Sequence, residues 1–202
     1  MSDTLDVLLL ESHHGAGLDA ADQLTAAGHR VHRCHDHRSK GYPCVGMSPA
    51  GDCPLDGPID VALDVRQHIT PRPTPLEDGV TCAAREGVPI VIDGSDLLDP
   101  FERVATAHVR GHVVEACAGA VDDALRPLAA TAQASLHAFL AARGHGPGDA
   151  VLSLDARGRR LVVTLRTQGM DRATASLLGV RALDSIRPVN RRWSIVDVIW
   201  AA

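Results

Sequence analysis

Three short apolar runs constrain the fold of this chain most: LDVLLLES (5–12), IDVALDV (59–65) and VPIVIDG (88–94). Each is apolar on consecutive residues and carries an acid at or near its end. Strands read this way when both faces are buried, as in a parallel sheet covered by helices on both sides. The intervening segments supply the helices. LDAADQLTAAG (18–28) sets Leu18, Ala21 and Leu24 on one face and stops at Gly28. TPLEDGVTCAAREG (74–87) opens with Thr74, Pro75 and Glu77 in the relation of a capping box and closes at Gly87. HRVHRC (29–34) reads as a second strand and HVVEAC (112–117) as a fifth; DPFERVATA (99–107) repeats the helix-start signal. AVDDALRPLAATAQASLHAFLAARG (120–144) is a long helical pattern. This alternation predicts an α/β fold with a doubly wound, parallel, five-stranded sheet.

After residue 144 the rhythm changes. AVLSLDARGRRLVVTLRT (150–167) predicts a hairpin turning near Arg157 and Gly158, DRATASLLGVRAL (171–183) a helix, and RWSIVDVIW (192–200) a last strand. The expectation is an α/β domain over 1–144 and a small α+β part over 145–202. The latter has the order β-β-α-β, an antiparallel sheet and one covering helix. The last strand offers Val196, Val198 and Trp200 on one face and Ile195 and Ile199 on the other. Two apolar faces need two covers, and a unit of this size has little core of its own. A homodimer through this part is expected. The alternative is packing on the chain's own first domain.

One stretch does not fit an α/β frame: RCHDHRSKGYPCVGMSPAGDCPLDG (33–57). Gly41, Pro43, Gly46, Pro49, Gly51, Pro54, Gly57 and Pro58 leave no room for a helix. A structureless loop of this length is uncommon in a compact domain unless something clamps it. The segment carries Cys34, Cys44 and Cys53, with His35 and His37, and Cys82 follows on the next helix, off its apolar face. Four thiolates at Cys34, Cys44, Cys53 and Cys82, with His35 or His37 replacing one, suit Zn²⁺ or an iron–sulfur cluster. The short two-residue cysteine knuckle of many zinc sites is missing. A thiol switch and a loop with unrelated reduced cysteines remain the other readings.

Around IDVALDVRQ…EDGV…VPIVIDGSD the chain resembles the middle of a response-regulator receiver domain, over about residues 5–135. The resemblance implies a flavodoxin-like sheet of order 2-1-3-4-5, with Asp64 at the phosphoacceptor position and Glu11 at the place of the receiver's metal-holding acids. The pattern departs from a receiver at several points. Glu11 is followed by Ser12, His13 and His14; Gly94, with Ser95 beside it, stands where a Ser or Thr ends the fourth strand; and no lysine follows Lys40. The resemblance therefore implies the fold and a degenerate phosphoacceptor position. Apart from it, Glu11, His13, His14, Asp64 and Asp93 gather near the carboxyl ends of adjacent strands, where doubly wound folds place ligands. Such an acid and imidazole cluster suits a divalent cation or acid–base chemistry.

Composition narrows the function classes. Residues 1–118 carry a net charge of −9 and residues 119–202 a net of +4, together the −5 of the chain. The basic part is nearly free of stacking aromatics, which argues against nucleic acid as a partner. No run is apolar and long enough to span a membrane, and no leader pattern is present. A cytoplasmic protein with reduced cysteines is expected. The leading expectation is a non-catalytic regulatory or sensory protein with a receiver-like domain and a Cys-rich metal or redox centre, open to an unidentified protein partner. An enzyme using the strand-end cluster, or a scaffold with a purely structural loop, are the alternatives.

Overall fold

The computed structural model describes residues 4–35, 44–47, 51–67, 71–94, 98–189 and 192–201. The chain divides into two compact units, 1–122 and 123–202.

The first unit is built on five parallel strands: β1 (Asp6–Glu11), β2 (Arg30–Arg33), β3 (Val61–Arg66), β4 (Ile90–Gly94) and β5 (Ala107–Val109). Their order is β2-β1-β3-β4-β5, a flavodoxin-like arrangement. β1 and β3 are buried at every position, their charged residues Asp6, Glu11, Asp64 and Arg66 included. Val7, Leu9, Val61, Leu63 and Val91 pack one face against Ala20 and Leu24 of α1 (Leu18–Ala26) and against Val113, Cys117 and Val121 at the start of α3 (Val113–Ala141). Leu8, Leu10, Ala62, Ile90 and Ile92 pack the other face against Val80 and Ala83 of α2 (Asp78–Arg85), Phe101, Leu55 and Ile59. Between β2 and β3 the described residues form only two single helical turns, Val45–Met47 and Pro54–Asp56. Leu55 and Ile59 cover the sheet where a doubly wound fold would otherwise set a helix.

Two expectations are corrected here. The fifth strand is Ala107–Val109, not 112–117, and it pairs with β4 from Val91↔Ala107 to Asp93↔Val109. Residues 113–117 are the first turns of α3, because Val113, Cys117, Ala120 and Val121 recur at helical spacing and bury together. The helix-start signal at 99–107 gives turns leading into β5, with Asp99 accepting the Phe101 N–H at 3.0 Å.

The second unit holds β6 (Ala150–Arg157), β7 (Arg160–Thr167), α4 (Arg172–Ile186) and β8 (Ile195–Ala201), together with the later turns of α3. β6 and β7 form a hairpin whose turn places Gly158 at φ +53°, a conformation that costs other residues steric strain. β8 pairs with β7 in parallel, not antiparallel as expected, because α4 carries the chain back to the end from which β7 started. The core joins Leu128, Leu136 and Leu140 of α3, Leu161, Val163 and Leu165 of β7, and Leu178, Ala182 and Ile186 of α4. Both helices thus cover the same face of the sheet. On the other face, Val151, Ile195 and Ile199 are exposed. Among the described residues no helix is long and apolar enough to cross a membrane.

Candidate functional site

β2 delivers Cys34 to the carboxyl edge of the sheet, where it is buried beside Leu10 and Val80. The turn at 44–47 is pinned to that strand end: the Val45 N–H donates to the Cys34 carbonyl at 2.9 Å and the Met47 N–H to the Cys44 carbonyl at 3.0 Å. The same turn lies against Cys53. A Cβ added at Gly46 would stand 2.8 Å from the Cys53 Cβ and 3.3 Å from its Sγ. Cys53 in turn precedes the helical turn at Pro54–Asp56, its carbonyl accepting the Asp56 N–H at 3.0 Å. From the other side α2 presses on Cys34, since a Cβ on Gly79 would stand 3.0 Å from the Cys34 Sγ. Cys82, on the same helix, packs half-buried against this cluster. Four cysteines from four separate segments therefore share one neighbourhood, all as free thiols.

Their electrostatics reflect this. Burial pushes the Cys34 thiol up to about 12, and Cys53, Cys44 and Cys82, in that order, add to the shift. Burial also raises Cys82; Arg85 opposes it and Cys53 and Cys44 add to it. Among the described residues no three His, Cys, Asp or Glu side chains are arranged to hold a metal ion. The thiols are neighbours, not a closed ligand shell. His35, next in sequence to Cys34, has both ring nitrogens buried and without a hydrogen-bond partner among the described residues. Burial lowers its basicity, against the pull of Asp78. His37 falls outside the described residues. Cys117, also free and buried, belongs to the opposite face of the sheet.

The strand-end residues divide between the two faces. Glu11 and Asp93 flank Val65 in register on the α1 side. Glu11 accepts the Gly17 N–H at 3.1 Å as α1 begins, meets Arg33 at 3.5 Å and stands 4.0 Å from His14. His13 contacts the Ser12 hydroxyl at 3.2 Å. Asp93 accepts the Gly111 N–H at 2.8 Å. Asp93 also lines a cleft of about 390 Å³ with Asp19, Gln23, Gln67 and Arg110.

Asp64 points to the opposite face and is 0% exposed. There it belongs to a buried charge network that pattern reading missed. Arg66 reaches Glu77 at 3.0 Å and Asp99 at 3.8 Å, and Asp99 reaches His108 at 2.7 Å. The Arg66 guanidinium lies 5.4 Å from the Phe101 ring centroid. Glu77 also accepts the Thr74 N–H at 2.6 Å, so the capping residue of the helix start is one of the buried acids. The available signal was period-2 alternation, which puts Arg66 on the same face as Asp64. Burial first, and Glu77 next, hold the Asp64 carboxyl well above the ordinary carboxylate range. Asp64 is closed off from solvent, and its surroundings disfavour the ionised carboxylate.

No protein-family model matches the chain, and no curated protein matches it. A flavodoxin-like sheet hosts many chemistries, so function has to be argued from the side chains gathered on it.

Proposed function

We propose that this is a non-catalytic regulatory or sensory protein, a receiver-like layer whose responsive element is the Cys34, Cys44, Cys53 and Cys82 centre. The observation that carries the reading is the meeting of four free thiols from four chain segments around the buried Cys34. Each thiol that ionises there opposes ionisation of its neighbours, as the rise of Cys34 with Cys53, Cys44 and Cys82 among its causes indicates. Two events relieve that opposition: capture of a thiophilic cation, or oxidation of a pair to a disulfide. The donor set suits Zn²⁺ or an iron–sulfur cluster. Cys34, Cys44, Cys53 and Cys82 would hold it, His35 or His37 replacing one. The bound group would neutralise the thiolates and tie the turns at Val45–Met47 and Pro54–Asp56 to α2. The described thiols are not arranged as a ligand shell, so metal capture requires them to draw together.

The Asp64 environment supports the non-catalytic part of the reading. A phosphoacceptor must be an ionised, accessible carboxylate; Asp64 is not accessible, and its burial disfavours ionisation. Asp64 is likewise separated from Glu11 and Asp93, which lie on the α1 side of the sheet.

The test is anaerobic purification followed by metal and sulfide analysis, an absorption spectrum and a thiol titration. Stoichiometric zinc, a visible iron–sulfur band, or thiols that oxidise pairwise within one molecule support the centre. Four thiols that bind no metal and react as independently as in the denatured chain remove it.

A further inference from the structure

A cleft of about 390 Å³ opens beside the thiol centre, walled by His32, Arg33, Asp52, Cys53 and Asp56. Cys53 is the one cysteine lining it among the described residues. We propose that Cys53 is the entry thiol of the centre, and that it exchanges with low-molecular-weight disulfides carrying both ammonium and carboxylate groups, the chemistry of amino-acid-derived disulfides. This inference rests on the thiol-centre reading and names the class of reactant that reaches it.

Position separates the four thiols. Cys34 is buried under α2; Cys44, Cys53 and Cys82 are all half-buried, and of these Cys53 is the one that lines the cleft. The charges of the cleft select the reactant. Asp52 and Asp56 are exposed and have no ion-pair partner among the described residues, so they suit ammonium groups. On the β2 wall Arg33 supplies a guanidinium for a carboxylate, and the His32 ring lines the cleft next to it. Each already meets an acid of β1: Arg33 reaches Glu11 at 3.5 Å and His32 reaches Asp6 at 2.7 Å. A zwitterion matches both walls, while a purely cationic or purely anionic disulfide is repelled by one of them.

The exchange balances in two steps. The Cys53 thiolate attacks one sulfur of R–S–S–R. That bond breaks, Cys53–S–S–R forms, and R–S⁻ leaves and takes up the proton Cys53 had released. Cys44 then attacks the Cys53 sulfur and displaces the second R–SH, closing a Cys44–Cys53 disulfide. Two protein thiols are oxidised and one small disulfide is reduced to two thiols. Cys44 is the resolving thiol because its turn packs directly on Cys53 through Gly46. Cys34, buried under α2, is a slow competitor.

The experiment treats reduced full-length protein, as purified, with cystine, quenches at short times and maps the modified cysteines by mass spectrometry. Expected are an adduct first on Cys53, its conversion to a Cys44–Cys53 disulfide, and its persistence in Cys44→Ser. Cys53→Ser should slow thiol loss by about tenfold or more, and Asp52→Asn with Asp56→Asn should slow cystine by about threefold to tenfold while sparing an uncharged hydroxyethyl disulfide. A first adduct on Cys44 or Cys82 overturns the inference. So does an uncharged or singly charged disulfide reacting faster than cystine, each rate taken relative to a free small thiol. If the four thiols bind zinc or protect one another but Cys53 does not react first, only this inference falls. If they react as in the denatured chain, the thiol-centre reading falls with it.

Discussion

Asp64 shows how one strand position can look like a site and serve as something else. Its two oxygens meet no N–H or O–H donor among the described residues, and the Glu77 carboxyl lies against it. A proton kept on one of the two acids satisfies both, with Arg66 balancing the remaining negative charge. Incubation with acetyl phosphate and Mg²⁺ is therefore expected to leave no acyl phosphate on Asp64, read as the absence of a hydroxylamine-labile mass increase. A second expectation follows from linkage. In the unfolded chain this carboxyl ionises above about pH 4. In the fold it stays protonated to higher pH, so its contribution to stability is fully present below that point and declines as pH rises toward the folded value. Asp64→Asn removes this decline and adds an N–H donor for Glu77. Its thermal midpoint should exceed that of the wild type at pH 8, and the advantage should shrink toward pH 4; a constant difference across that range would contradict the neutral acid. The position of Asp64 on its strand was legible in the pattern. Its partners were not, because Glu77 and Asp99 reach it from segments 13 and 35 residues away and only the folded chain brings them to Arg66.

Among the elements, α2 links this charge network to the thiol centre. Its entry carries Glu77 and its body carries Gly79 and Cys82. Replacing a helical glycine with alanine ordinarily stabilises a helix by up to about 1 kcal/mol. At Gly79 the added Cβ would stand 2.6 Å from the Leu10 Cδ2 and 3.0 Å from the Cys34 Sγ, contacts that force α2 or β1 to shift. Overpacking of this kind costs about 1–3 kcal/mol, so Gly79→Ala should destabilise the protein in urea titrations despite its better propensity. The same variant should speed alkylation of Cys82 while leaving Cys117 unchanged, because Cys117 packs on the other face of the sheet. Element reading succeeded where burial runs over a whole strand, as in β1 and β3, or over most of one, as in β4. It failed at β5 and α3, where HVVEAC is too short for its apolar residues to distinguish a strand from a first helical turn. It also missed the direction of β8, which depends on where α4 returns the chain and not on the residues of the strand. In the cysteine-rich stretch the glycines and prolines act locally, and its described residues hold nothing longer than the single turns Val45–Met47 and Pro54–Asp56.

For the molecule as a whole, the second unit leaves apolar side chains exposed on the open face of its sheet. Along β8, Ile195 and Ile199 are 52% and 48% exposed there, whereas Trp200 turns to the α4 side. The strand forms one edge of its sheet and has neither proline nor lysine to discourage further pairing. Paired antiparallel with the same strand of a second copy, the edge is self-complementary: the two-fold axis near Val198 sets Ile199 of each copy opposite Asp197 of the other and extends the open face into a six-stranded one. A homodimer through β8 follows as a proposal, and sedimentation at tens of micromolar should report a dimer. Deleting residues 145–202 would be a poor test, because Leu128, Leu136 and Leu140 of α3 would lose their cover. Ile195→Lys with Ile199→Lys is better, since both side chains are already exposed and the core is untouched. The double variant should sediment as a monomer with its thermal transition lowered only through loss of the partner, an effect that depends on protein concentration. A wild-type chain that stays monomeric at that concentration, or a double variant that still dimerises, would exclude the β8 edge as the interface.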